Sequence, residues 1–220
     1  MKKHVSRACL LTMSAAITFF SSCNKHNDHT PQGGTMHIAG NFANPFEVHY
    51  MGNANSTTGV DPLAPELDAG SWTVNSEAFN VRAAFKFDLS QLSATTPVKS
   101  AKLTLYSNPT PINGDHISAN SGDNNAFYIQ RINTAWSPST TTWLTQPGVD
   151  ADGQVLVPHT SAHFLDVTDV DVTAMVNKML TSGNYGFKIQ LQNESLYNIR
   201  VFCSARYSDS TKYPRLTISY

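Results

Sequence analysis

Apolar and polar residues alternate with a period of two over much of this 220-residue chain. In residues 82–89 the odd positions are Ala, Phe, Phe and Leu, whereas the even positions are Arg, Ala, Lys and Asp. Strands with one apolar and one polar face form antiparallel sheets that are solvated on one side. About eight to ten such strands predict an all-β fold, a jelly-roll-like antiparallel β-sandwich. The other alternating segments are 101–106, 187–192, 199–206 and 215–220, and more weakly 47–51, 66–69, 126–132 and 164–167.

One segment has the periodicity of a helix instead. The apolar positions within residues 172–180 are 172, 175, 176, 179 and 180, which is the spacing of an amphipathic helix. Thr168 and Asp171 resemble a capping box, and Gly183 suits the position that follows the last turn. The sequence therefore predicts one short amphipathic helix, whose apolar stripe covers an open end of the sandwich.

Composition excludes several classes of protein. Charged residues make up only 14% of the chain, the net charge is −1 and the basic residues are scattered, so we expect no binding to nucleic acid. No apolar run reaches the roughly 18 residues of a membrane-spanning helix. The hydrophobic fraction of 40% is sufficient for a sizeable core. With no internal linker, residues 36–220 are expected to form one domain.

The first residues have the pattern of a bacterial export signal. Basic residues at positions 2, 3 and 7 precede an apolar stretch at 8–20, and two serines lead into Cys23. This pattern predicts a lipoprotein signal peptide over 1–22, with Cys23 lipidated as the first mature residue. An ordinary signal peptide followed by an unrelated cysteine is the alternative. The polar residues 23–35 then form a flexible tether before the domain.

Export and lipidation predict a protein that is secreted and lipid-anchored at the bacterial outer membrane or cell surface. Removal of residues 1–22 would leave 12 Lys and Arg residues against 16 Asp and Glu residues, a net charge of −4. Because an acidic protein does not bind anionic membranes, we expect membrane contact only through the lipid. The remaining thiol would be Cys203, whose alternating apolar neighbours predict a small buried residue.

Four segments of the chain occur in a characteristic order. They are NVRAAFKFDLS at 80–90, AKLTLY at 101–106, WSPSTTTW followed by QP at 136–147, and finally DVT at 166–168 with its helix, NYGF at 184–187, SARYSD at 204–209 and PRLTI at 214–218. Together these segments resemble the DNRLRE domain, also described as carbohydrate-binding module family 96, over roughly residues 45–220. The resemblance implies a jelly-roll β-sandwich of surface proteins that binds acidic polysaccharide such as alginate.

A sugar-binding face needs aromatic rings that stack on pyranose faces, and polar or cationic donors for hydroxyl groups and uronate carboxylates. The solvent-side phases of the predicted strands supply both kinds of side chain. An ordinary solvated sheet face is the alternative, and Trp136 and Trp143 are either stacking platforms or packing residues of the turn between them. The predicted ligand-binding residues are Arg82, Lys86, Tyr106, Tyr128, Gln130, Lys188, Gln190 and Arg200.

Oxygen ligands for a cation are also present. Asp150 and Asp152, followed by a glycine, have the spacing that begins an EF-hand-like loop, although no later acidic ligand follows. These two residues are candidate ligands for a structural Ca²⁺. Asx turns are the alternative role for them. No other cofactor is predicted.

Motifs for catalysis are lacking in the sequence. There is no Gly-x-Ser-x-Gly elbow and no His-Glu-x-x-His. With four glutamates in the whole chain, a pair of glycosidase carboxylates is hard to assemble. We therefore expect no enzymatic activity but a non-catalytic, carbohydrate-binding surface lipoprotein. A structural or adhesive surface module without glycan binding is the main alternative, and a polysaccharide lyase with a His or Tyr base is a weaker one.

Overall fold

The computed structural model describes residues 33–39, 47–52, 60–61, 63–95 and 97–220, and Gly33–Tyr220 belongs to one compact unit. The predicted signal peptide and the lipidation site Cys23 lie outside the described residues. The tether was predicted to extend to residue 35, but Thr35 already pairs with Ser219 in a sheet. In the part of the chain that the structure describes, no helix has the length and apolar character needed to cross a bilayer.

The described residues contain thirteen strands, one α-helix and one short 3₁₀-helix. In chain order they are β1 (Thr35–Ala39), β2 (Glu47–Gly52), β3 (Val60–Asp61), β4 (Glu66–Val74), β5 (Glu77–Phe85), β6 (Ser100–Leu105), β7 (Asn120–Ser121), β8 (Phe127–Arg131), β9 (Val155–Val157), β10 (Val167–Asp171), α1 (Thr173–Ser182), β11 (Phe187–Leu191), β12 (Asn198–Cys203), the 3₁₀-helix (Ser210–Lys212) and β13 (Arg215–Ser219).

The strands form two sheets. The smaller sheet has the order β1-β13-β6-β10, and the larger has the order β7-β12-β4-β5-β11-β8-β9, with β2 pairing to both β3 and β5. Every strand pair is antiparallel. The prediction of an all-β antiparallel sandwich with one short helix is confirmed. Each of the five clearest alternating segments overlaps a strand, whereas β1, β3, β7 and β9 were not predicted.

The two sheets enclose one hydrophobic core. Leu103 and Leu216 reach it from the smaller sheet, and Phe85 and Phe187 reach it from the larger one, with their ring centroids 5.8 Å apart. The prediction of a strand over 82–89 was partly wrong, because β5 ends at Phe85. Phe87 still packs against both of these rings from outside the strand. Burial, rather than strand geometry, therefore maintains the alternation after residue 85.

The predicted helix is present as α1, which buries Met175, Val176 and Met179. Gly183 follows it at a φ of 101°, and its N–H donates to the carbonyl of Met179, as the sequence predicted. The capping box was wrong, because the N-cap is Val172, which makes no side-chain cap. Asp171, one residue before the N-cap, still accepts a hydrogen bond from the N–H of Thr173 at 3.0 Å. A polar contact and apolar packing on the core therefore both stabilise the start of this helix.

β12 is buried on both faces. Phe202 lies in the main core, whereas Ile199 and Val201 pack on the opposite side beneath the long connection that follows β6. The backbone of Val201 fastens this connection, since its N–H donates to Ala119 at 2.8 Å and its carbonyl accepts from Asn108 at 3.0 Å. Cys203 and Arg200, which point to opposite faces of β12, are both fully buried as a result.

Cys203 at the end of β12 has no exposed surface, and burial raises the pKa of its thiol to about 12. The prediction of a small buried residue is confirmed. A thiol with such a pKa remains protonated near neutral pH, so it is a poor nucleophile.

Candidate functional site

The outer face of the larger sheet brings together polar side chains from β5, β11 and β8. Lys188 lies opposite Ala84 on one side and Gln130 on the other, and Arg82 shares the face because it is two residues from Ala84. Residues that lie directly opposite in an antiparallel pair point to the same side of a sheet. Tyr128 and Gln190 form the next pair on this face. Five of the eight predicted ligand-binding residues therefore share one surface.

The connection between β8 and β9 lies over one end of this surface and forms an open groove of about 560 Å³. We call it the cationic groove, because Arg82 and Lys188 contribute to its floor. Asn80 and Gln146 supply amide groups, and Trp143 supplies an aromatic wall. Gln130, Tyr128 and Gln190 lie on the same face beyond the lining of the groove. The remaining lining residues are Leu144, Pro147, Gly148 and Val149.

Arg82 is held in a fixed position. Its Nε and Nη2 donate to the two carboxylate oxygens of Glu194 at 2.7 and 2.8 Å, and its Nη1 donates to Oε1 of Gln146 at 3.2 Å. The guanidinium carbon lies 4.5 Å from the ring centroid of Trp143. A bidentate ion pair combined with stacking on an indole orients a guanidinium and neutralises most of its charge. Arg82 therefore shapes the groove more than it charges it.

Lys188 is the cation of this groove that remains available to a ligand. Its side chain is only 6% exposed, and among the described residues no hydrogen bond or ion pair holds its ammonium. The pKa of Lys188 is lowered to about 8, mainly by burial and next by the charge of Arg82, while Glu194 opposes both effects. Opposite it, Gln130 donates to Gln154 at 2.8 Å, while its own Oε1 is buried and has no hydrogen-bond partner in the described part of the chain.

The two tryptophans that flank the predicted turn differ in their roles. The indole N–H of Trp136 donates to the carbonyl of Tyr185 at 2.7 Å, and its ring packs beside Ala84 and Ile132. Trp143 packs against the same small cluster and also lines the cationic groove. Trp136 is therefore a packing residue, whereas Trp143 combines packing with a position in the site.

Two predicted ligand-binding residues lie away from the cationic groove. Lys86 follows β5 and lines a different cleft, beside Asn184 at the end of α1. Tyr106 follows β6 of the smaller sheet, and Lys212 and Arg215 lie 5.3 and 5.8 Å from its ring centroid. The structure therefore does not bring these two residues together with Lys188.

A comparison with known protein families agrees with this surface, which presents an indole, amide groups and a cation together. Residues 68–220 match carbohydrate-binding module family 96. The chain belongs to this family. The family consists of non-catalytic modules that bind carbohydrate, and the matched range contains every residue that lines the cationic groove. No curated protein is significantly similar to the chain.

Arg200, one of the predicted ligand-binding residues of the module, does not lie on the solvent-exposed face. Arg200 has no exposed surface, and its guanidinium carbon lies 5.3 and 5.5 Å from the ring centroids of Phe127 and Phe202. Its Nη1 donates to the carbonyl of Pro158 at 3.4 Å, whereas Nε and Nη2 have no hydrogen-bond partner among the described residues. Burial lowers the pKa of Arg200 to about 10. Alternation predicts the solvent side for Arg200 when Ile199 and Val201 form the core face, but these two residues pack on the opposite side from the main core.

The candidate Ca²⁺ ligands of the module do not fit that role. The Oδ2 atom of Asp150 contacts Arg131 at 2.7 Å and Lys178 at 2.9 Å, and its Oδ1 accepts from Asn133 at 3.0 Å. The hydrogen bond from Lys178, followed by those from Asn133 and Arg131, holds the pKa of this carboxyl well below its usual range. Asp152 is exposed, and the described residues contain no group of three metal-ligating side chains. Two cations therefore already neutralise Asp150.

Sequence reasoning missed three residues of this site, namely Asn80, Gln146 and Glu194. Glu194 is 112 positions from Arg82, so no local pattern indicated their ion pair. Gln146 was visible only as part of the segment that resembles the family. The rarity of glutamate was the one signal in the sequence for Glu194. This residue is an isolated glutamate after a strand in an acid-poor region, which is a reason to look for a cationic partner.

Proposed function

We propose that this module binds acidic polysaccharide in the cationic groove, with the ammonium of Lys188 as the recognition element for a uronate carboxylate. The observation that carries the proposal is Lys188, a residue only 6% exposed at the floor of an open groove, whose ammonium has no hydrogen-bond or ion-pair partner among the described residues. A buried cation without a partner is unfavourable. A carboxylate ligand would supply the missing hydrogen bond and charge, and a charge-assisted hydrogen bond contributes about 1.5–3 kcal/mol.

The charges around the groove favour an anionic ligand over a neutral one. Glu194 already neutralises Arg82 through two hydrogen bonds, so the remaining net charge of this cluster is that of Lys188. The amide of Asn80 lines the same groove and can bind sugar hydroxyls. The amide of Gln146 already accepts from Arg82 and donates to the carbonyl of Trp143. Because the groove is open, a long chain can pass through it without a free end.

Affinity electrophoresis tests the proposed ligand class. Native gels that contain alginate or polygalacturonate should retard the protein, and a gel that contains a neutral glucan should retard it less. The gels are run with and without Ca²⁺, because divalent ions cross-link these polymers. Equal mobility in all gels under both conditions would contradict acidic-polysaccharide binding.

The protonation state of Lys188 predicts a pH dependence. Since its pKa is about 8, the ammonium is about nine-tenths protonated at pH 7 and about one-tenth protonated at pH 9. The uronate carboxylate remains ionised at both values. Binding of alginate oligosaccharide, measured by isothermal titration calorimetry, should therefore become about tenfold weaker between pH 7 and pH 9. The same titration of Lys188→Met should show a flat profile, and a flat profile for the unmodified protein would argue against a role for this ammonium.

We further propose that the protein is a surface lipoprotein anchored through Cys23. The support is the sequence before the domain, in which basic residues, the apolar stretch 8–20 and two serines precede this cysteine. Cells grown with a clickable palmitate analogue should label the protein, and Cys23→Ala should remove the label. Label that persists in the variant would contradict acylation at this position.

A further inference from the structure

A second groove lies at the β4–β5 hairpin and has a different chemical character. It encloses about 190 Å³ between the hairpin, β12 and the connection that follows β6. We call it the aromatic groove, because Trp72 and Phe79 form part of its wall. The other residues that matter to its character are Val81, Ile112, His116 and Ile199.

The aromatic groove has a rigid platform. Trp72 is half-buried and packs against Ile199 and Val201, so its ring is held in position. Tyr197 meets this ring edge-on, with the two centroids 5.3 Å apart and the planes at 90°. Tyr197 is 55% exposed and has a φ of 62°, and Ile112, which lines the groove, is 57% exposed. Apolar surface that is grouped around a fixed ring is typical of a binding site.

Among the residues that the structure describes, those that line this groove carry no carboxylate, ammonium or guanidinium group. Asn113 also lines it, but its side-chain amide donates to Glu66 at 3.1 Å and to Asp68 at 2.8 Å and is therefore directed away. His116 is exposed at the rim, where its ring nitrogens can bind a hydroxyl group. An uncharged wall favours an uncharged ligand, because a charged group would lose hydration there without a partner.

We propose that the aromatic groove is a second carbohydrate site, which takes a neutral pyranose ring stacked on Trp72. The apolar face of a pyranose can stack on an indole. The ring nitrogens of His116 can form hydrogen bonds with hydroxyl groups at the edge of the sugar ring. Membership of a carbohydrate-binding family favours a sugar over an apolar peptide as the occupant. The site shares no lining residue with the cationic groove, although adjacent residues of β5, Phe79 and Asn80, contribute to the two.

The three tryptophans allow the two sites to be observed separately by NMR. Each indole N–H gives its own cross-peak in a ¹⁵N-¹H spectrum of the full-length chain, assigned by single Trp→Phe variants. Neutral hexasaccharides of glucose, mannose, xylose and galactose should include at least one that shifts the Trp72 peak and leaves Trp143 unchanged. Alginate hexasaccharide should do the reverse. A panel in which no neutral sugar shifts the Trp72 peak would overturn the proposal.

Variants separate this proposal from the previous one. Tyr197→Asn should weaken the neutral hexasaccharide about five- to tenfold without loss of folding, because asparagine tolerates a positive φ. Lys188→Met should leave that affinity unchanged while alginate binding falls, so each site can fail independently. Trp72→Phe should also weaken the neutral sugar. Unaltered affinity in Tyr197→Asn and Trp72→Phe, or a Trp72 peak that shifts with protein concentration alone, would instead indicate another site or a contact between two copies.

Discussion

Lys188→Met is expected to weaken the binding of alginate about 10- to 100-fold. The ammonium of Lys188 is the one unpaired cation on the floor of the cationic groove, in the part of the chain that the structure describes. Its loss removes a charge-assisted hydrogen bond of about 1.5–3 kcal/mol, and each 1.4 kcal/mol corresponds to about a factor of ten. Methionine keeps the length of the apolar stem. Isothermal titration calorimetry with a defined oligosaccharide would measure the change.

Lys212→Met is the matched control for this prediction. It removes the same charge from the same chain, but Lys212 lies beside Tyr106 of the smaller sheet. If general electrostatic attraction caused the binding, both variants would weaken it equally. If Tyr106, one of the predicted ligand-binding residues, formed the site with its neighbouring cations, Lys212→Met would have the larger effect. Either result would contradict recognition of the acidic glycan by Lys188 in the cationic groove.

Arg200→Met is expected to raise the free energy of unfolding by about 1–3 kcal/mol. Arg200 is fully buried, and two of its guanidinium nitrogens have no hydrogen-bond partner among the described residues. Replacement of a buried charge by an apolar side chain of similar length is often stabilising. Contact with the rings of Phe127 and Phe202 offsets part of the cost of burial. Urea unfolding followed by circular dichroism at pH 7 would measure the difference.

The pKa of Arg200 determines the pH range of this effect. Its value of about 10 in the folded state is below the ordinary value of 12.5, so the folded protein carries the cost of the buried charge at all pH values below about 10. The cost disappears as pH rises through 10 towards 12.5, where the folded state loses the proton first. The variant should therefore show its full gain at neutral pH.

Arg131→Met is the matched control for the stability prediction. Arg131 is also buried, but its Nε donates to Asp150 at 2.7 Å. The substitution removes a partner of a carboxylate and should lower stability by about 1–2 kcal/mol, since Lys178 and Asn133 still contact Asp150. Opposite signs for the two substitutions would separate a buried arginine that has a carboxylate partner, Arg131, from one that has none among the described residues, Arg200. A loss of stability in both would show that Arg200 has a stabilising partner.

The strands and the helix were predictable from the sequence because burial imposes a local period. A strand with one buried face repeats every two residues, and a helix with one buried stripe repeats every 3.6. Thus β6, β11 and β13 lie where alternation placed them, and α1 buries the predicted methionines. The short strands β3 and β7, each of two residues, are too brief to show a period.

The orientation of β12 was not predictable in the same way. Its residues alternate, but both faces are covered, one by the core and one by the connection after β6. Period two identifies the two faces of a strand without stating which one meets the core when both are buried. Arg200 was therefore assigned to the wrong side, even though β12 itself was recognised.

The sequence by itself determined the all-β class, the one helix and the burial of Cys203. It also determined the membership of carbohydrate-binding module family 96, which residues 68–220 match. Only the tertiary structure decided which side chains form a site. Arg82 and Glu194 pair across 112 positions. Trp143 reaches the same groove from a connection outside the sheet. Local periodicity reports the burial of each residue, whereas a binding site depends on contacts between residues that are distant in the chain and are set by strand order and register.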